Sequence, residues 1–126
     1  MKRIIKTLPC EDGRLFATSA GERREFAQFS GRVEITEHTA LVPILGQIHK
    51  GTKRIYASFI VCEDVAYTRQ IEESFIHSGK VYDATADVAG RQLTFAGLHF
   101  TDSDPIRNEL TFEITDVELI QKLLAI

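Results

Sequence analysis

Phe29-Ser30-Gly31-Arg32-Val33-Glu34-Ile35-Thr36 alternates an apolar or small residue with a polar one at every step. Successive side chains of a strand point to opposite faces, so this stretch makes a strand with one dry face and one wet face. The same period returns in Ile55, Ala57, Phe59 and Val61, in Leu93, Phe95 and Gly97, and in Leu110, Phe112 and Ile114. These stretches predict a mainly β fold, an antiparallel sandwich or barrel. Gly31 and Gly97 fall inside the patterns and suggest bulges or sharp curvature, which closing a barrel requires. The chain then ends differently. Thr115 followed by Glu118 forms a capping box, and Val117, Ile120, Leu123 and Leu124 form an apolar stripe. A C-terminal helix of about ten residues is marginal alone. It must dock on the open end or edge of its own sheet, or on a neighbour's.

The intervening segments read as follows. Lys2 to Thr7 is a short strand candidate. Asp12-Gly13 signals a two-residue hairpin turn, with Leu15-Phe16-Ala17 as the return strand. Ser19 to Glu25 reads as a polar loop, Phe26 to Thr36 as a long strand, and Glu37 to Thr39 as a turn. Pro43 demotes the apolar run Leu41–Leu45 to an edge strand or a bulge. His49-Lys50-Gly51 reads as a turn into the strand Lys53–Cys62. A mid-chain helix over residues 64–76 is predicted from an Asp64 cap and from Tyr67, Ile71 and Phe75 on one face, with a ragged strand as the alternative. Val81 to Val88, the turn Ala89-Gly90 and Arg91 to Thr101 form a hairpin. Asp102-Ser103-Asp104-Pro105 breaks the pattern before the last strand, Asn108 to Thr115.

The 126 residues are 44% apolar and 26% charged, without low-complexity runs or repeats, which suits one folded domain spanning 1–126. The apolar run Ile4-Ile5 ends at Lys6, short of the roughly 7–15 apolar residues of a secretory signal. No stretch approaches the ~18 apolar residues of a membrane span. A cytoplasmic protein is expected, or a virion component if the chain is phage-derived. Its two cysteines are then expected as free thiols, Cys62 buried in a strand and Cys10 in a turn beside Pro9.

The net charge is −3, which argues against a nucleic-acid partner. Its distribution is uneven. Residues 1–60 carry ten Lys/Arg and six Asp/Glu, a balance of +4, and residues 61–126 carry five and twelve, a balance of −7. Either these are complementary surfaces that meet between copies, or strands from both halves interleave and the asymmetry cancels in space. Interleaving is the favoured expectation.

No constellation of chemistry stands out. His38, His49, His77 and His99 have no metal-ligand spacing, although His77 and His99 flank the late hairpin and could meet Asp83 in a zinc site. Asp102 and Asp104 could chelate a hard cation, but an aspartate turn bonding its own backbone is the simpler expectation. Asp83 and Asp87 share a strand face and would signify an acid–base pair only inside a pocket. There is no nucleophile elbow, Walker loop or dinucleotide fingerprint. The basic clusters Arg23-Arg24 and Lys50–Arg54 lack interleaved exposed aromatics, since Tyr56 and Phe59 face opposite sides of one strand. No catalytic, cofactor-binding or metal residue is assigned, and no cofactor is expected.

With these strands placed, the outline resembles the small β-barrel or β-sandwich proteins of phage tails and related tubes. The resemblance lies in the Phe29–Ile35 strand, the Ala66–Phe75 helix candidate, the long hairpin Val81–Phe100 and the strand Leu110–Ile114. It implies a curved sandwich with a helix, whose long hairpins pair between subunits to build rings. It leaves the N-terminal hairpin unaccounted for, and it carries over no functional residue.

Three functions follow. The leading expectation is a non-enzymatic structural or assembly protein that self-associates, with itself or another protein as partner and neither nucleic acid nor membrane. The alternative is a small barrel module binding an apolar ligand or peptide in a cavity lined by Phe29, Val33, Phe59, Phe95 and Phe112, residues that on the simpler reading fill the core. An enzyme using Asp83, Asp87, His77 or His99 is the third.

Overall fold

Residues 2–63 and 81–126 are described by the computed structural model. Six strands run in the order β1 (Lys2–Ser19), β2 (Glu22–Ile44), β3 (Gln47–Val61), β4 (Val81–Val88), β5 (Arg91–Asp104) and β6 (Glu109–Ile114), followed by helix α1 (Val117–Ala125). They close into an antiparallel barrel in the order β1-β2-β3-β6-β5-β4. The predicted mainly β fold is therefore a closed barrel, and the alternative of a sandwich falls away. The helix expected over residues 64–76 lies outside the described residues.

The period of two sets the barrel's inside. Phe29, Val33, Phe59, Phe95 and Phe112 are all buried. The Phe59 ring lies 4.6 Å from Phe29, 5.5 Å from Phe95 and 5.7 Å from Phe112, tilted or edge-on in each case. Such tilted contacts suit the ring quadrupole. A barrel this narrow is filled by its own side chains, and these five form the centre of the core. None of them lines any of the surface cavities described below.

Two-residue turns join the long strands at Ala20-Gly21, Leu45-Gly46 and Ala89-Gly90. In each the first residue has φ of 51–53° and the glycine φ of 75–79°, the paired positive angles of a type I′ hairpin turn, whose twist matches the strands it joins. Ala89-Gly90 is the turn the sequence predicts, and Ala20-Gly21 falls within the loop expected over Ser19–Glu25. Asp12-Gly13 is not a turn: β1 continues through it with a bulge between Cys10 and Gly13, and Leu15–Ala17 belongs to the same strand. The loop expected over Ser19–Glu25 shrinks to the turn Ala20-Gly21, because Ser19 already pairs with Glu22. Glu37–Thr39 and His49–Gly51 are not turns either; both lie inside strands that pair along their length. Asp102–Asp104 continues β5 past a bulge. The curvature expected at Gly31 and Gly97 is present, since each has positive φ (93° and 65°) where its strand gains residues on its partner.

Helix α1 closes one end of its own barrel. Leu119 and Leu123 are buried in the core, and Ile120 packs against it. Val117 and Leu124, assigned to the apolar stripe from sequence, are exposed. The cap is Asp116 rather than Thr115: its carboxylate accepts from the Glu118 and Leu119 amides at 3.0 and 3.4 Å. The Thr115 hydroxyl instead meets His99 Nε2 at 3.3 Å. Lys6 Nζ donates to the main-chain oxygen of Ile126, tying the helix end to β1.

The strand order overturns the expected interleaving of charge. β1, β2 and β3 are contiguous around the barrel, and so are β6, β5 and β4. Among the described residues, the strands of the first half and those of 81–114 are thus two sides of the barrel. The side built from residues 1–60 has the balance of +4, and residues 81–126 carry three Lys/Arg against eight Asp/Glu.

Candidate functional site: an unpaired hairpin arm

The hairpin β2–β3 is longer than the barrel. Pairing of β2 with β1 ends at Lys2↔His38, and pairing of β3 with β6 ends at Ile55↔Ile114. From Thr39 to Arg54 the two strands pair only with each other among the described residues. Six residues of β2 beyond His38 span roughly 20 Å at the usual rise of a strand. Beyond Thr39 both outer edges of this arm offer backbone donors and acceptors that no other strand pairs among the described residues. Pro43, read from sequence as an edge residue, sits there opposite Ile48, where a missing N–H costs no ladder bond.

The arm is apolar where an exposed hairpin should be polar. Leu41 is 52% exposed, Ile44 50%, Ile48 70% and Leu45 99%. Cross-strand partners share a face, so Leu41, Pro43 and Ile48 lie on one face and Val42 and Ile44 on the other. Neither face can be buried by the arm itself. Leu45 also pays backbone strain, because φ of 51° places its Cβ against the following carbonyl. Behind the tip come His49, Lys50, Lys53 and Arg54, with no acidic residue between Thr39 and Arg54. Lys53 and Arg54 lie 3.8 Å from Glu37 and 3.9 Å from Glu113, loose ion pairs on exposed side chains. These cations are the Lys50–Arg54 cluster of the sequence.

The other candidates resolve into structural roles or separate. Arg23 binds Asp83, with Nε 3.2 Å from Oδ2, and stacks 3.5 Å over the Phe16 ring. Asp83 is thus occupied, whereas Asp87 lies directly opposite Glu11. Although both aspartates face outward on β4, they form no acid–base pair. Asp104 Oδ1 accepts from the Ile106 amide at 2.9 Å and Asp102 Oδ1 from Ser103 at 2.8 Å, so both carboxylates bond their own backbone as expected. His77 lies outside the described residues, and His99 is engaged with Thr115. Among the described residues no group of three or more His, Cys, Asp and Glu is placed to hold a metal. Both cysteines are free, but their burial is the reverse of expectation. Cys10 is buried within β1 and Cys62 is exposed just beyond β3. Burial, helped by Cys62, pushes the Cys10 thiol above its ordinary value and away from the reactive thiolate.

Two features escaped the sequence. On the barrel's outer face Arg107 lies 3.6 Å from Glu34 and 3.5 Å from Glu109, and Arg32 reaches Glu34 at 3.0 Å. Glu109 is buried and its Oε2 receives no hydrogen bond among the described residues. Burial holds its carboxyl above the usual range; Arg107 and Lys2 oppose the rise, and Glu34 and Asp104 add to it. The second feature is a surface cavity of about 730 Å³ at the seam of β1 and β4, lined by Pro9, Glu11, Gly31, Asp87, Ala89 and Gly90 among others. Among the described residues no helix is long and apolar enough to cross a membrane.

No family model, curated protein or solved structure matches the chain.

Proposed function

We propose that this chain is a non-enzymatic structural or assembly protein that works by self-association through the β2–β3 arm. One observation carries the reading: Leu45 is held fully exposed in a strained conformation at the tip of an arm that is apolar on both faces and, among the described residues, joined by no further strand on either edge. An isolated two-stranded hairpin is marginal in water. Bare apolar edges are what proteins otherwise blunt to avoid unwanted pairing. Docking on another copy removes both liabilities together. The segregation of charge to opposite sides of the barrel supplies attraction between copies. The resemblance to phage tail tubes is in keeping with this reading, and a phage or prophage origin is part of the proposal.

Sedimentation velocity across concentration, in low and high salt, tests it. The wild type is expected to show a concentration-dependent mass that salt reduces, and Leu45→Asp to remain monomeric with an unchanged fold by circular dichroism. A wild type that stays monomeric throughout overturns the proposal. If that monomer also floats with anionic vesicles and Leu45→Asp does not, the arm serves a lipid surface instead.

A further inference from the structure

We infer that the arm of one copy seats in the carboxylate-lined cavity at the β1–β4 seam of a second copy, so that association runs head to tail. This rests on the self-association reading and goes beyond it by naming the receptor surface.

Charge selects the surface. The arm holds Lys50, Lys53 and Arg54 and no acid, within a chain of net charge −3. The rest of the chain therefore carries −6, and the arm is drawn to some part of that remainder. Four surface cavities can be compared. The one between α1 and the β4–β5 hairpin contains Arg91 and Lys122, the one on the outer face contains Lys2, and the one beneath the arm contains Lys53 and Arg54. Asp102 and Glu113 in the last two are thus accompanied by cations, and of the four only the cavity at the β1–β4 seam has carboxylates, Glu11 and Asp87, without a Lys or Arg. It is also the largest of the four.

The cavity's carboxylates are arranged at a cost. Glu11 lies directly opposite Asp87 in the ladder, and like charges in that relation destabilise a sheet. Asp12 adds a third exposed charge beside them. Among the described residues none of the three has an ion-pair partner within 4.0 Å. A cation delivered there would relieve the repulsion, and Lys50 stands just behind an apolar tip on the arm. The cavity's lining suits that tip, because Pro9 and Ala89 offer carbon surface and a Cβ at Gly31 would have nothing within 4 Å. Arm and cavity share no residue. Their contact is heterologous, so a pair of copies keeps one free arm and one free cavity, and the assembly propagates to a ring or filament.

Complementary mixing tests this. Leu45→Asp disables the arm and leaves the cavity intact. Glu11→Lys/Asp87→Lys disables the cavity and leaves the arm intact. Wild type is expected to grow beyond dimer with concentration in low salt, while each variant alone stays monomeric. An equimolar mixture should form a one-to-one dimer and stop, because one productive contact remains. If the Lys pair unfolds the barrel, Glu11→Gln/Asp87→Asn removes the same charges and is read the same way. A cavity variant that assembles like wild type, or a mixture that stays monomeric, overturns the head-to-tail contact. In either case an assembling wild type and a monomeric Leu45→Asp leave self-association through the arm standing. A monomeric wild type removes both.

Discussion

Gly13 faces Phe29 across the β1–β2 ladder with no space for a side chain. A Cβ at Gly13 would stand 2.4 Å from the Phe29 ring and 2.5 Å from its carbonyl oxygen. The ring could move only by displacing Phe59, 4.6 Å away, and the carbonyl is fixed by the ladder. Gly13→Ala is therefore expected to cost about 1–3 kcal/mol through overpacking, read as a lower urea midpoint. An unchanged midpoint would show that the bulge can open to admit a methyl group.

Phe59 joins three rings at the centre of the barrel, from Phe29, Phe95 and Phe112. Its removal leaves a hole that these strands, closed on themselves, cannot collapse to fill. Phe59→Ala should destabilise by about 3–5 kcal/mol. Equilibrium denaturation checks this. A loss near that of an exposed substitution would mean that the interior is not packed around this ring.

Asp116, not Thr115, holds the first-turn amides of α1. Asp116→Ala is expected to cost about 1 kcal/mol, with the loss seen first as faster amide exchange in α1. Thr115→Ala should cost less, since its hydroxyl meets only the exposed His99 ring. The reverse order would return the cap to Thr115.

Glu109 ties stability to pH in the direction opposite to an ordinary ion-paired carboxylate. Its folded pKa is raised, chiefly by burial, so the folded state holds the proton more tightly than the unfolded chain. The corresponding stability is fully present below the unfolded pKa and is lost as pH rises through the folded one. Ionising Glu109 in the fold therefore carries a desolvation cost. Glu109→Gln is expected to raise Tm at pH 7 and to change it little at pH 4. A lower Tm at pH 7 would show that the 3.5 Å contact with Arg107 outweighs desolvation.

The fold class was legible because alternation is a local property, and Phe29, Val33, Phe59, Phe95 and Phe112 went to the core through it. The turns were legible only where composition agreed with tertiary demand. Asp12-Gly13 has the residues of a hairpin turn, but the chain uses Gly13 for its approach to Phe29. Ala20-Gly21 and Leu45-Gly46 lack the usual Asn or Asp, so the first is legible only as a longer loop over Ser19–Glu25 and the second not at all. With Leu45-Gly46 missed, the apolar run Leu41–Leu45 looked like a separate edge strand, and the arm could not be seen. Its exposure depends on where β1 and β6 stop pairing, which is a matter of barrel stagger rather than of any local signal. The carboxylate cavity joins Glu11 to Asp87 across a long separation in sequence, and the separation of charge depends on strand order; neither can be read from one segment.

Leu45 sets folding against assembly in one residue. Its positive φ suits Asn, which pairs with a following glycine in the most favoured type I′ turns, and the left-handed region costs a branched residue about 1–2 kcal/mol. Its side chain is 99% exposed, so the isolated subunit gains nothing from its carbon surface. Leu45→Asn should therefore stabilise the monomer by about 1 kcal/mol while weakening self-association. Both are measurable on one preparation, Tm at a dilution where wild type is monomeric and sedimentation at high concentration. If the substitution raises Tm and association persists unchanged, the tip does not carry the contact and the arm must act through its edges alone. If it lowers Tm, Leu45 is packed within its own subunit and the exposed arm is not its resting state.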